Sequence, residues 1–328
     1  MYHRILFFVF LLNVVYINAQ QNLSLKDSII KYQFLNPNLA IKFGMEYVEF
    51  RIGSTPDLEL VGIYSKIGEI LLYMEFYSSA LEYFNYALQT RNSIKEKGME
   101  KTIYSKANLP WVVLNIGNIY FKNRNYEKAL EKFEEARKLF DIAKNPINRI
   151  NGLKTSNSNI GLVYGALGEY DKQEEIYYMV HDSLVLNLSD RNEYNSTVMY
   201  SMTQLLSVKL LKGDLISAQN KLNEINEFFE SEKNKEEHLS KSLLIRNFGY
   251  AYSIIGAYYQ SKKEYKKAIK NLLKAKDLFK SFPVEINITG SRLSECYLAI
   301  GQTDIAKEIA LKNLSFKNIS DREKRFNY

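Results

Sequence analysis

The chain has 328 residues, 46% of them hydrophobic and 25% charged, with a formal net charge of +7. That balance excludes a disordered tail and a disulfide-stapled miniature, and it leaves ample chain for a packed core. Five Pro and fifteen Gly are too few for a loop-rich barrel or sandwich, and long polar–apolar alternations are absent, so an all-α chain is expected.

At the N-terminus, the basic "MYHR" precedes an apolar run from Ile5 to Ile17, broken only by Asn13, and "INA" then places the small Ala19 before Gln20. This is the order of a secretory signal peptide, with residues 1–19 removed at Ala19. At about 1.5 Å per residue the run spans about two-thirds of a bilayer core, so an uncleaved N-terminal anchor is the alternative. The expected location is periplasmic or secreted. Cys296 is the only cysteine, so no intrachain disulfide can form, and its place between Leu293 and Tyr297 on an apolar face makes it a core residue. The net charge permits contact with a membrane surface without indicating it.

After the leader, "SLKDSIIKYQF" and "NPNLAIKFGMEYVEF" read as a helix pair, the second carrying Ala40 and Gly44 as small residues. Six further stretches superpose on their small residues. "FYSSALEYFNYAL" carries Tyr77, Ala80, Phe84 and Ala87, and "NYEKALEKFEEA" carries Tyr126, Ala129, Phe133 and Ala136. "EYDKQEEIYYMV" carries Tyr170, Gln173, Tyr177 and Val180, and "DLISAQNKLNEI" carries Leu215, Ala218, Leu222 and Ile225. "EYKKAIKNLLKA" carries Tyr265, Ala268, Leu272 and Ala275, and "QTDIAKEIALKN" carries Thr303, Ala306 and Ala310. Twelve residues before the aligned small position lies Gly68, Gly117, Gly161 or Gly256, with Leu71, Tyr120, Tyr164 or Tyr259 three residues later. Tight turns such as "LGEY", "KGDL" and "IGQT" join the two helices, with Gly168, Gly213 and Gly301 free to turn left-handed. Small residues at fixed places mean that another backbone approaches there.

This pattern, from about Asn36 to Lys317, resembles the tetratricopeptide repeat, whose helix A carries a large residue, Leu-Gly and Tyr and whose helix B carries Ala, Phe and Ala. The Val113–Phe140 unit matches best; the Met199–Phe229 unit departs most, with Leu206 at the Gly place, and Ser294 replaces Gly in the last unit. The resemblance implies a right-handed superhelical solenoid of antiparallel helix pairs over residues 20–328. About six to seven units are expected, with helix-B centres near 40, 80, 129, 173, 218, 268 and 306. Units start roughly 38 to 50 residues apart, longer than the minimal repeat, which resembles the long-helix repeats of bacterial signalling proteins that sense peptides or partner proteins.

Catalytic signatures are missing: no phosphate loop, no nucleophile elbow, and only three His, none with the second His of a zinc helix motif. No enzyme, metal or cofactor is expected. The stretch Lys262–Lys280 holds eight Lys against Glu264 and Asp277 and is read as a solvated outer face, with an acidic lipid or partner protein as the lesser alternative and no nucleic acid. The resemblance places ligands on the concave surface of the A helices, which maps onto Trp111, Asn115, Asn118, Ser158, Asn159, Thr203 and Gln204. Adjacent amides offer donors and acceptors to a peptide backbone. Asn118 and Asn159 resemble the two Asn of a carboxylate clamp, yet Leu114 and Tyr200 stand where its Lys would be, which argues against a C-terminal carboxylate. The expected function is an exported, non-enzymatic scaffold for a peptide or partner protein. The alternative is a sensory module of a membrane signalling protein, such as a histidine kinase or transcriptional regulator, an arrangement that resembles those of Bacteroidetes.

Overall fold

In the computed structural model, which describes residues 25–94, 109–185, 191–234 and 238–324, every element is a helix. Among the described residues there are fourteen: α1 (25–32), α2 (Pro37–Phe50), α3 (Leu58–Tyr73), α4 (Tyr77–Ser93), α5 (Leu109–Lys122), α6 (Tyr126–Asp141), α7 (Pro146–Ala166), α8 (Tyr170–Val185), α9 (Arg191–Leu211), α10 (Leu215–Glu232), α11 (His238–Ser261), α12 (Tyr265–Leu278), α13 (Pro283–Ala299) and α14 (Thr303–Lys324). The leader-like residues 1–19 and most of the Gln89–Pro110 connection lie outside the described residues. None of the described helices is long and apolar enough to cross a membrane.

Even-numbered helices are the helix-B elements. Ala40, Ala80, Ala129, Gln173, Ala218, Ala268 and Ala306 are each the fourth residue of theirs, in the first turn rather than at the centre. Helix starts are locally encoded. Asn36, Asp57, Asn125 and Asp214 each accept a hydrogen bond from the backbone N–H three residues on, at 2.9 to 3.2 Å. The A–B turns share one geometry. The residue two before each of α4, α6, α8, α10, α12 and α14 has φ between 58° and 78°. In every turn the next residue donates its N–H back six positions in Schellman fashion, as Asn125 does to the Tyr120 carbonyl at 2.9 Å. Gly168, Gly213 and Gly301 occupy three of these sites as expected; Glu75, Arg124 and Lys263 occupy the others, which composition did not reveal.

The residues fall into two compact units that part at Gly152 and Leu153. In the first, α2 to α6 pack in sequence around Ile67, Ile70, Phe84, Ile116 and Ile119, all buried. Phe133 and Phe84, at most 1% exposed, are worth about 1.5–3 kcal/mol each as buried side chains. In the second, α9 to α13 enclose Met199, Leu206, Phe229, Phe248, Ala275 and Phe279, with Phe229 stacked on Phe248 at 4.0 Å. Ring and glycine meet at the expected register: a Cβ on Gly68, Gly117 or Gly161 would lie 2.5 to 2.7 Å from Phe84, Phe133 or Tyr177. Where Ser294 stands in the glycine place, its hydroxyl donates to the Ala306 carbonyl at 2.8 Å and so ties α13 to α14. Cys296 is fully buried, and burial pushes its thiol up.

Candidate functional site

The helix-A residues picked from the sequence are best followed one unit at a time. On α5, Leu109, Val112, Val113, Leu114, Ile116 and Ile119 are all buried. Trp111, Asn115 and Asn118, at helical spacing, form the stripe left over. The Trp111 indole meets Phe140 edge-on at 4.7 Å and 68°, and its Nε1–H donates to Asn148 Oδ1 at 2.7 Å. Trp111 therefore joins α5 to the end of α6 and the start of α7. Asn118 Nδ2 donates to Asn115 Oδ1 at 3.3 Å, a long bond. Asn115 keeps its own amide N–H groups for whatever lies against this stripe.

In the second unit, Ser158 and Thr203 are 6% and 2% exposed. Ser158 Oγ donates to the Lys154 carbonyl at 2.7 Å and also bonds Tyr200, whose hydroxyl is pushed up by burial. Thr203 Oγ1 donates to the Met199 carbonyl at 2.8 Å and lies 3.5 Å from the Asn247 carbonyl of α11. Both hydroxyls serve helix seams and neither reaches solvent; a serine or threonine bonded to the turn before it looks the same in sequence as one facing a ligand. Asn159 and Gln204 are half-buried. The clamp-like Lys places are uncharged in structure as in sequence, with Leu114 2% exposed.

The sequence reading missed how polar the seam here is. Ser156, Asn157, Thr197 and Ser201 are all under 5% exposed, and Asn247 Nδ2 donates to the Ser196 carbonyl at 3.1 Å, binding α11 to α9. Ser201 also meets His181 Nδ1 at 2.8 Å, and burial holds the imidazole below its usual range. Among the described residues no cluster of His, Cys, Asp and Glu could hold a metal ion.

Residues 112–141, which are α5 and α6, match the tetratricopeptide repeat family model. The fold is that of the tetratricopeptide repeat proteins. Solved structures with this repeat fold cover most of the chain. The apo form of RapI superposes with a TM-score of 0.59 at 12% identity, covering 91% of this chain and 98% of that one. A Rap protein complexed with competence and sporulation factor gives 0.55 at 13%, covering 91% and 74%. A kinesin light chain from Podosopora anserina with nearly identical tetratricopeptide-like repeats gives 0.51 at 13%, covering 64% and 95%. No curated protein matches the chain by sequence.

Proposed function

We propose that this chain is a non-catalytic tetratricopeptide-repeat scaffold that takes a peptide or a partner protein against its helix-A faces. The observation that carries this reading is the α5 stripe. Trp111 is pinned by Phe140 and Asn148, and beside it Asn115 holds amide donors that no protein group uses. A rigid aromatic next to free amides suits an extended backbone, which needs both donors and acceptors. A Rap protein of the same fold, solved with competence and sporulation factor, supports binding as the use of such a scaffold.

Photocrosslinking residues at positions 115 and 204, introduced in the source cells, test the reading against positions 127 and 221 on helices B. A defined adduct from the helix-A positions alone, weakened by Asn118→Ala, is expected. The same adducts from all four positions, or none, would overturn it.

We further propose export, with residues 1–19 as a cleaved signal peptide. The intact mass of the native protein separates this from the alternative. A soluble species starting at Gln20 supports a free exported adaptor. A larger membrane-bound species supports a sensory module of a signalling protein.

A further inference from the structure

A groove of about 550 Å³ lies on the helix-B side of the second unit, between α10 and α12. Its floor is apolar, formed by Leu206 and Leu210 of α9 and by Ile255 of α11, all at most 7% exposed. Leu215 on the α10 wall lines it too, yet is 49% exposed. The opposite wall belongs to α12, where Lys267, Lys270 and Lys274 line the groove and are exposed. None of the thirteen lining residues is a carboxylate.

These three lysines come from the stretch that sequence assigned to a solvated outer face, and the structure divides that stretch. Spaced three and four apart, they run along one edge of α12 for about 10 Å. Like charges at that spacing destabilise a helix, so the ladder does not help α12 form. Lys267 meets Glu264 at 2.5 Å, while no carboxylate of the described residues pairs with Lys270 or Lys274. Lys274 is nevertheless held in place: its Nζ donates to the Tyr252 hydroxyl at 2.6 Å and lies 3.9 Å from the centre of that ring. The same hydroxyl donates to Asn226 Oδ1 at 2.6 Å. A positioned ammonium beside an unpaired one, above exposed leucine and a dry floor, asks for carboxylates and apolar groups together. An inorganic anion would satisfy the lysines and leave the leucines in water.

We propose that this groove is a docking site for an acidic peptide segment in which apolar side chains alternate with Asp or Glu. The apolar side chains enter over Leu206 and Leu210 and the carboxylates meet Lys270 and Lys274. The site is distinct from the helix-A stripe, and neither depends on the other.

The test is fluorescence anisotropy of the full chain with a fluorescein-labelled peptide of alternating Leu and Glu, its Glu→Gln and Leu→Ser counterparts, and dodecanoate as competitor. The Leu–Glu peptide is expected to bind and both counterparts to bind weakly. Its Kd is expected to rise by about tenfold or more in the double variant Lys270→Glu, Lys274→Glu and in Leu215→Asp. The control Lys262→Glu, Lys266→Glu, on the same helix turn region but outside the groove, should leave Kd within about twofold. Circular dichroism melts confirm that each variant is folded. Equal losses in both double variants would show unspecific charge attraction, and equal binding of the Leu→Ser peptide would remove the apolar floor from the site. Saturation by dodecanoate without peptide binding would make the ligand an anionic amphiphile. Each of these three results overturns the proposal.

Discussion

Gly117 and Phe133 share one volume: a methyl group on Gly117 would sit 2.6 Å from Cε1 of Phe133, a ring that is only 1% exposed. Phe133 is enclosed and has nowhere to swing, so the added carbon must push α5 and α6 apart. Gly117→Ala should destabilise by about 1–3 kcal/mol, even though alanine favours the helix by about 1 kcal/mol. Gly62, in the middle of α3, provides the contrast: it is exposed, and a Cβ there meets nothing within 4 Å. Gly62→Ala should stabilise by about 0.5–1 kcal/mol. Denaturant melts of the two variants should therefore move in opposite directions.

The six A–B turns allow a second comparison. Glu75, Arg124 and Lys263 hold φ of 63°, 58° and 60°, a conformation in which a side chain costs roughly 1 kcal/mol and glycine nothing. Arg124→Gly and Lys263→Gly should each raise the melting temperature, by the equivalent of about 1 kcal/mol. Gly168→Ala or Gly213→Ala should lower it by a similar amount, because the open space around those Cα atoms leaves only the backbone term.

Arg246 and Glu285 form an asymmetric pair. Glu285 is 5% exposed and accepts from Arg246 Nε at 2.7 Å and from the Tyr250 hydroxyl at 2.6 Å, while the Arg246 side chain is 40% exposed. Removing the arginine strands a buried carboxylate; removing the carboxylate leaves an arginine that water already reaches. Arg246→Ala should therefore cost about 3 kcal/mol and Glu285→Gln about 1 kcal/mol. Tyr250, raised to about 12 by burial and by the Glu285 carboxylate, stays a donor throughout. Equal losses in urea titrations would contradict the asymmetry.

His181 predicts a pH response. Burial holds its folded pKa below the ordinary 6.5, with Lys221 adding to that and Asp182 and Glu224 opposing it. The unfolded chain then binds the proton more readily. Stability from this residue is present above pH 6.5 and lost as pH falls through the lower, folded value. Melting temperature should fall on acidification below pH 6.5, and His181→Asn should flatten that part of the curve. The carboxylates act in a separate window. Burial pushes Glu174 up, but hydrogen bonds from Lys209 and Lys212 outweigh it and hold its carboxyl below 4.5, so its contribution is lost only in stronger acid.

What sequence alone determined about this protein is what the chain encodes over one or two helical turns. The three-and-four spacing of Tyr126, Ala129, Phe133 and Ala136 makes a one-faced helix. Asn125 and Asp214 start helices through a bond to a backbone three residues away, and the recurring glycine twelve residues before each small residue demands a close neighbour. Repetition turned these local rules into a repeat architecture. The tertiary structure decided everything that depends on partners far along the chain. It distinguished Asn115, with amide donors to offer, from Ser158 and Thr203, whose hydroxyls close helix seams. It tied Trp111 to Asn148, thirty-seven residues away, and Arg246 to Glu285, thirty-nine away. It also set Lys270 and Lys274 beside Leu206 and Leu215, which belong to other helices. A periodic pattern states which face of a helix is apolar. Only packing states what that face, and the polar face behind it, will meet.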